Sequence, residues 1–482
     1  MNSLSSGKTT KLVVTASLIL SALAFLCFVY TDVGETTRQG LNLIKSIAQG
    51  RLSEFYVMCE NCPMGEMGYS VVATYDIPLF AIFAIWDIPL YIYENVTGLS
   101  CLDTFLGIMW AKAILIPFMV VLIYEMISIG KLIKKEEFSP LNCMAVIFTS
   151  VLFFIPAAVM GQYDVLSAVF IMLGVKGYIE GDNKKFILGF AIANLFKMFS
   201  LFLFIPLLLL KEKKFIKLVL DMLAGCSLLL ITKVLQAIIF IPSEAADIFV
   251  KDHLLSFFFQ GHMKLVYDGV SLFVICLIIL CFYCYFKKTP DVKELGMWAL
   301  YIGFLSFAIF FVTSFTHPQW NLLLLPFTTL IICCCERRFM SAGLLIDTVM
   351  SCGLLLAEVV FYDGIFSSKL SRFTLAGKLF YEDVGYYATL KDVIGVIFSG
   401  INVDFFNFTG GGIFTAGMIF FAIWAYPEKS KERFADIDMP FNGICIARFL
   451  ILLFTSLAFI SLMFIGCLLY TSPSPRDRTR SR

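Results

Sequence analysis

The chain is built from repeated apolar runs of about 20 residues, each long enough to cross the ~30 Å hydrocarbon core as a helix rising 1.5 Å per residue. Hydrophobic residues fill 59% of its 482 positions and charged residues 15%, more apolar surface than a soluble fold of this length can hide. The expected fold is all-α: a polytopic transmembrane helical bundle. Expected spans are 12–30, 104–130, 141–160, 163–180, 214–242, 265–286, 297–315, 319–335, 341–362, 411–426 and 443–466, about eleven in all. The first run is as long as a span and lacks a small-residue cleavage site, so it is expected to remain as a helix.

Basic clusters set the expected orientation, because Lys and Arg in short loops stay cytoplasmic. One arrangement places Lys8 and Lys11, Lys131 to Lys135, Lys184 and Lys185, Lys211 to Lys217, Lys287 to Lys293, Arg337 and Arg338, and Lys429 to Arg433 on the same side. The N-terminus is then cytoplasmic in a multi-pass protein of the cell membrane. Segments 31–102, 243–264 and 363–410 face outward. The run 184–214 is basic at both ends and carries Lys197 near its middle. Two half-helices turning at Lys197 keep both basic ends inside and hold the lysine at depth, facing a cavity; a single tilted helix with a snorkelling lysine is the alternative.

The first outer segment contains "TTRQGLNLIKSIAQG", with Leu41, Ile44, Ile47 and Ala48 at helical spacing, suited to the membrane interface. It continues with "YDIPLFAIFAIWDIPLYIYE", apolar but cut by Asp76, Pro78, Asp87 and Pro89, which fits a juxtamembrane or re-entrant helix. The net charge of +1 identifies no partner and gives no reason to expect nucleic acid. Most of the 15 cysteines lie in apolar runs and act as small hydrophobes. "CCC" at 333–335 fits apolar filling better than acylation. Cys59 and Cys62 in "CENC" can form a short-range disulfide; with only three histidines in the chain, a zinc site there lacks further ligands.

Polar residues gather at the outer ends of the spans. "DVGE", with Asp32 and Glu35, follows the first; it has the spacing of a capping box, with Asp32 as N-cap and Glu35 returning to it. In "GQYD" (161–164), Gly161 can end one helix and Asp164 cap the next. In "THPQW" (316–320), Thr316 can cap a helix with Pro318 in its first turn, leaving His317 in the turn. His253 and His262 fit a surface loop, and the sequons at 95–97 and 407–409 are short enough to arise by chance.

An aspartate after the first span, an interfacial helix, the Pro-rich "YDIPLF" segment, "GQYD", a mid-hairpin lysine and a late "HPQ" together resemble the C-superfamily membrane glycosyltransferases. The likeness runs toward bacterial mannosyltransferase-like proteins related to the second GPI mannosyltransferase and the protein O-mannosyltransferases. It covers most of residues 12–335; the later third is similar only in being helical. Many members carry a DE or DD pair, whereas Glu35 follows Asp32 by three positions here, so both are candidate bases. The resemblance implies an inverting transfer of a mannose-like hexose from a polyprenyl-phosphate donor to a glycan, lipid or protein acceptor at the outer face. It implies Asp32 as base, Lys197 or Arg38 on the lipid phosphate, and Gln162, Asp164, His317 and Gln319 as groups that position sugar or phosphate. No resident cofactor is implied, and a divalent metal is left open. A flippase of lipid-linked oligosaccharides, or an O-antigen polymerase or ligase, are the competing classes.

Residues 1–466 are expected to form one domain. The string "CLLYTSPSPRD" from 467 resembles one reading frame of a transposase sequencing adapter, so 467–482 are expected to be an artefact tail that makes no specific packing.

Overall fold

The computed structural model describes residues 2–62, 71–251, 269–314, 316–361, 372–380, 397–427 and 439–471, with isolated positions 256, 258, 260–263 and 395. His253, the tail past 471 and half of the outer segment 363–410 lie outside them. The described chain is almost wholly helical. In chain order its main helices are α1 (Asn2–Cys27), α2 (Thr31–Ala48), α3 (Ile77–Trp86), α4 (Ile88–Thr97), α5 (Phe105–Ala113) and α6 (Leu115–Lys134). Next come α7 (Pro140–Phe148), α8 (Asp164–Glu180), α9 (Asn183–Phe196), α10 (Leu201–Lys211), α11 (Phe215–Ile239) and α12 (Leu272–Phe286). The last are α13 (Val292–Thr313), α14 (Leu325–Cys334), α15 (Arg337–Phe361), α16 (Asp404–Ala425) and α17 (Phe441–Thr471). His262–Met263 pairs antiparallel with Val270–Ser271.

Eleven spans are too many. Among the described residues, seven helices are long and apolar enough to cross a membrane, or up to nine if two bent pairs each count once. The pairs are α3 with α4, bent by 61°, and Pro140–Phe148 with Val151–Met160, bent by 69°. The predicted span 141–160 breaks because Thr149 and Ser150 turn their hydroxyls on the backbone: Thr149 Oγ1 donates to the Ala145 carbonyl, and Ser150 Oγ accepts from Leu152 N. The span 163–180 shrinks to the 17 residues of α8, stopped by Gly181 at φ +75°. The span 265–286 starts only at Leu272, behind a Ser271 cap. The span 319–335 spends its first turns as a 3-10 helix, Pro318–Leu323, leaving ten α-helical residues in α14.

The run 184–214 does break at Lys197. There α9 ends, the backbone is extended (φ −154°, ψ 118°), and a 3-10 turn leads into α10. The Phe204 ring sits 5.5 Å from Phe186 and 5.2 Å from Phe190, so α10 returns beside α9. Lys211, at the far end of α10, stands 5.1 Å over the Phe186 ring. The two basic ends are therefore neighbours. In α11, Asp221 accepts from Asn183 and Lys233 pairs with Asp76, so these two charges have separate partners.

The amphipathic stretch forms α2, but its buried side faces protein. Val33, Leu41 and Leu43 join Phe55, Phe80 and Cys101 in a second, smaller core outside the main bundle. Gly40 lets α2 approach the α3 backbone, where an added Cβ would lie 3.1 Å from Ala84 N. Ile47, assigned to the apolar face by its spacing, is exposed. Cys59 and Cys62 are free thiols, and Cys59 is buried against the Asn42 amide at 3.7 Å. Cys333, Cys334 and Cys335 are buried filling.

α15 and α16 pack backbone to backbone through small residues: a Cβ on Gly410 would fall 2.6 Å from Ala357 N. The helix α17 continues through Leu468, Leu469 and Tyr470 to Thr471.

Candidate functional site

Helix α1 ends at Cys27, and Phe28 to Tyr30 leave it before α2 begins at Thr31. Tyr30 occupies the N-cap position without a side-chain cap bond. Asp32 lies inside the first turn, so the predicted capping box is absent and its carboxylate is turned elsewhere. Oδ2 accepts from Gln162 Nε2 at 2.6 Å and from Gln319 Nε2 at 3.3 Å. Three segments far apart in sequence thus meet on one carboxylate, held at the positive end of α2.

Gln162 is delivered by an unusual piece of backbone. Phe154–Met160 is a π-helix, ended by Gly161 at φ +75°. A π turn widens the helix and often marks a functional site. Gly161 does end this helix, as the sequence suggests, and Gln162 N returns to the Pro156 carbonyl at 2.9 Å. Asp164 does not cap α8 with its side chain. Instead its Oδ1 accepts from Lys197 Nζ at 2.5 Å, both side chains being buried. Lys197 also stands 5.0 Å over Phe199 and 4.9 Å over Trp320. His317 packs edge-on to Trp320 at 4.8 Å.

The structure therefore brings Asp32, Gln162, Asp164, Lys197, His317 and Gln319 to one end of the bundle. Arg38 is placed apart. Its guanidinium donates to both Glu94 oxygens, at 2.8 and 2.9 Å, and to Ser100, tying α2 to the end of α4. Glu35 lies one turn beyond Asp32, half-buried, close enough for its charge to act on the Tyr75 hydroxyl.

Burial pushes the Asp32 carboxyl above the usual carboxylate range; Asp164 adds to the rise, while Gln162, Lys197 and Gln319 oppose it. Solvent reaches this side chain, yet protein surrounds it. Burial, aided by Lys197, pushes His317 down to about 4, so its ring is neutral near pH 7. Two buried acceptors, Asp164 Oδ2 and Gln319 Oε1, have no hydrogen-bond partner among the described residues. Such orphans are costly unless a ligand or water donates to them. Beside the cluster lies a cavity of about 370 Å³, lined by Lys197, Trp320, Tyr75, Phe199, Phe202 and Phe258. The cluster can hold an anion, bind hydroxyls and take up a proton, next to a place for an apolar chain. Among the described residues, no group of three or more His, Cys, Asp or Glu side chains is arranged to hold a metal.

Sequence reasoning missed Lys112, Tyr75 and Trp320. Lys112 is fully buried and donates to the carbonyls of Phe25 (2.6 Å), Phe28 (2.7 Å) and Ala158 (3.3 Å). It ties the end of α1, just before Asp32, to the π-helix, just before Gln162, and satisfies carbonyls that a helix end leaves orphaned. The signal was present as a single lysine inside an apolar run. At Gly161, an added Cβ would meet Lys112 Cε and Val33 Cγ2 at 3.1 Å in a left-handed backbone. Gly161→Ala is expected to lower stability by roughly 1–2 kcal/mol, read as earlier thermal unfolding in detergent. The sequence matches no family model, and no curated protein or solved structure gives a significant match.

Proposed function

We propose that this protein is an integral membrane glycosyltransferase that moves a mannose-like hexose from a polyprenyl-phosphate donor to an acceptor hydroxyl. The observation that carries the proposal is the meeting of Asp32, Gln162 and Gln319 beside the Asp164–Lys197 pair and its aromatic cavity. In this mechanism Asp32 takes the proton from the acceptor hydroxyl as its oxygen attacks the anomeric carbon. The bond from that carbon to the phosphate oxygen breaks on the opposite face, so the configuration inverts. Polyprenyl phosphate leaves with added negative charge. Lys197 spends one N–H on Asp164 and has two more for that phosphate, where its charge helps most as the bond breaks. The aromatic cavity takes the first isoprene units, and the remaining chain stays in the bilayer. Asp164 Oδ2 and Gln319 Oε1 accept from sugar hydroxyls, which would relieve both orphans. Arg38, engaged by Glu94, is left out of this mechanism. Glu35 remains a second carboxylate at the rim.

The outward side of the membrane and a cytoplasmic N-terminus belong to the same proposal, resting on the basic clusters. A flippase is the second reading, favoured by one observation: Arg448 and Asp347 form a buried ion pair (2.5 Å) within the apolar helices α17 and α15. Membranes carrying the protein, given radiolabelled polyprenyl-phosphate hexoses, test the choice: a transferase moves label off the lipid, a flippase leaves the donor intact. The pH profile tests the base. Asp32 acts deprotonated, so the rate should fall as pH drops through its raised pKa, above the ~3.9 of a free Asp. Gln162→Leu removes a bond that holds this carboxyl down, and should move the acid limb to higher pH. His317→Gln should leave the limb in place.

A further inference from the structure

A second cavity, of about 790 Å³, opens at the other end of the bundle. Gly7 and Thr10 line it, at the start of α1, while Asp32 follows that helix's far end; the two sites are separated by roughly 26 Å of helix. Its volume falls within the ~300–1,000 Å³ of small-molecule sites. We propose that this cavity binds a phosphate-bearing ligand, either a soluble phosphate ester or the headgroup of an anionic lipid. The proposal is independent of the transfer reaction.

Charge supports an anion. Lys134 and Arg337 line the cavity; Arg337 lies exposed at its rim, and its guanidinium has no hydrogen bond or ion pair among the described residues. The carboxylate that lines it, Glu137, is 81% exposed and forms only a long ion pair with Lys134, at 3.7 Å, so it offsets part of one charge and leaves Arg337 unanswered. A guanidinium so placed can fork two N–H groups onto phosphate oxygens.

The backbone adds to this field. The first turns of α7, α15 and α17 all border the cavity, through Asn142, Arg337 and Asn442. Each helix start carries N–H groups without intrahelical acceptors and a positive partial charge. The walls are fastened: Thr10 Oγ1 donates to Asn442 Oδ1 at 2.9 Å, joining α1 to α17, and Ser139 caps α7. Leu141, Met340 and Phe441 give an apolar side. The cavity therefore suits a ligand with an anionic head and some carbon attached. A metal cation would meet two positive side chains.

The test uses the full chain, purified in detergent or held in nanodiscs. One arm measures binding of radiolabelled inorganic phosphate; the other compares retention of phosphatidic acid and phosphatidylcholine by native mass spectrometry. The double variant Lys134→Gln/Arg337→Gln should lose binding by about tenfold or more, while Lys184→Gln/Lys185→Gln keeps it. Phosphate binding alone supports the soluble ester, preferential retention of phosphatidic acid alone supports the lipid headgroup, and both support the shared chemistry. No binding in either arm, equal binding by the double variant, or equal loss in the control pair would overturn the proposal. Where the double variant misfolds, phenylglyoxal modification of Arg337 in the unaltered protein decides: phosphatidic acid or phosphate must protect it, and absence of protection rejects the site.

Discussion

Asp32→Asn is expected to cut sugar transfer by roughly 10²–10⁴-fold, the usual contribution of a positioned general base. Insertion, expression and thermal stability should stay near those of the unaltered protein. The asparagine carbonyl can still accept from Gln162 and Gln319, so the junction of α2, the π-helix and the Pro318 turn keeps its tie. What disappears is the capacity to hold a proton. Because Tyr30, not Asp32, occupies the N-cap position, lost activity cannot be assigned to a lost cap. Glu35→Gln in parallel decides between the two carboxylates: if it loses activity while Asp32→Asn retains it, their roles exchange. If both variants remain active, this site does not carry the reaction.

Lys197→Met is expected to destabilise the protein by about 3–5 kcal/mol, because Asp164 would remain buried with its charge unanswered. Its other oxygen has no hydrogen-bond partner among the described residues to share that charge. The double change Lys197→Met/Asp164→Asn removes both charges and should recover most of that stability, since apolar or neutral replacements of a buried pair are often tolerated. It should not recover transfer, because the cation proposed for the departing phosphate is gone. Thermal unfolding in detergent and label transfer, measured on the same preparations, separate the two effects. Recovery of both stability and activity in the double variant would leave Lys197 with a structural role alone.

The helical class was legible because lipid-length apolar runs admit little else, and the break at Lys197 because a charge sat between basic ends. The number of spans was not. Hydropathy measures composition over a window, whereas Thr149, Ser150 and Gly181 end helices through local hydrogen bonds and a left-handed residue inside apolar sequence. The polar residues that cluster were visible one by one at helix ends. Their gathering at one end followed from the topology and the resemblance, but the meeting of Gln162 and Gln319 on a single Asp32 oxygen did not, because those contacts are made only by tertiary folding. Arg38 shows the converse: the resemblance implied it as an alternative to Lys197 on the lipid phosphate, but Glu94, delivered by α4, takes both arms of its guanidinium fork. Lys112 was hidden because a lysine in an apolar run suggests snorkelling, and only the folded chain supplies its three carbonyls.

The most direct measurement uses purified protein in detergent, with no bilayer to cross, incubated with radiolabelled polyprenyl-phosphate hexose and a heat-treated membrane extract as acceptor source. The account predicts that label leaves the isoprenoid donor and appears in acceptor material, and that Asp32→Asn abolishes this. A donor that stays intact, or equal turnover by Asp32→Asn and the unaltered protein, would contradict it.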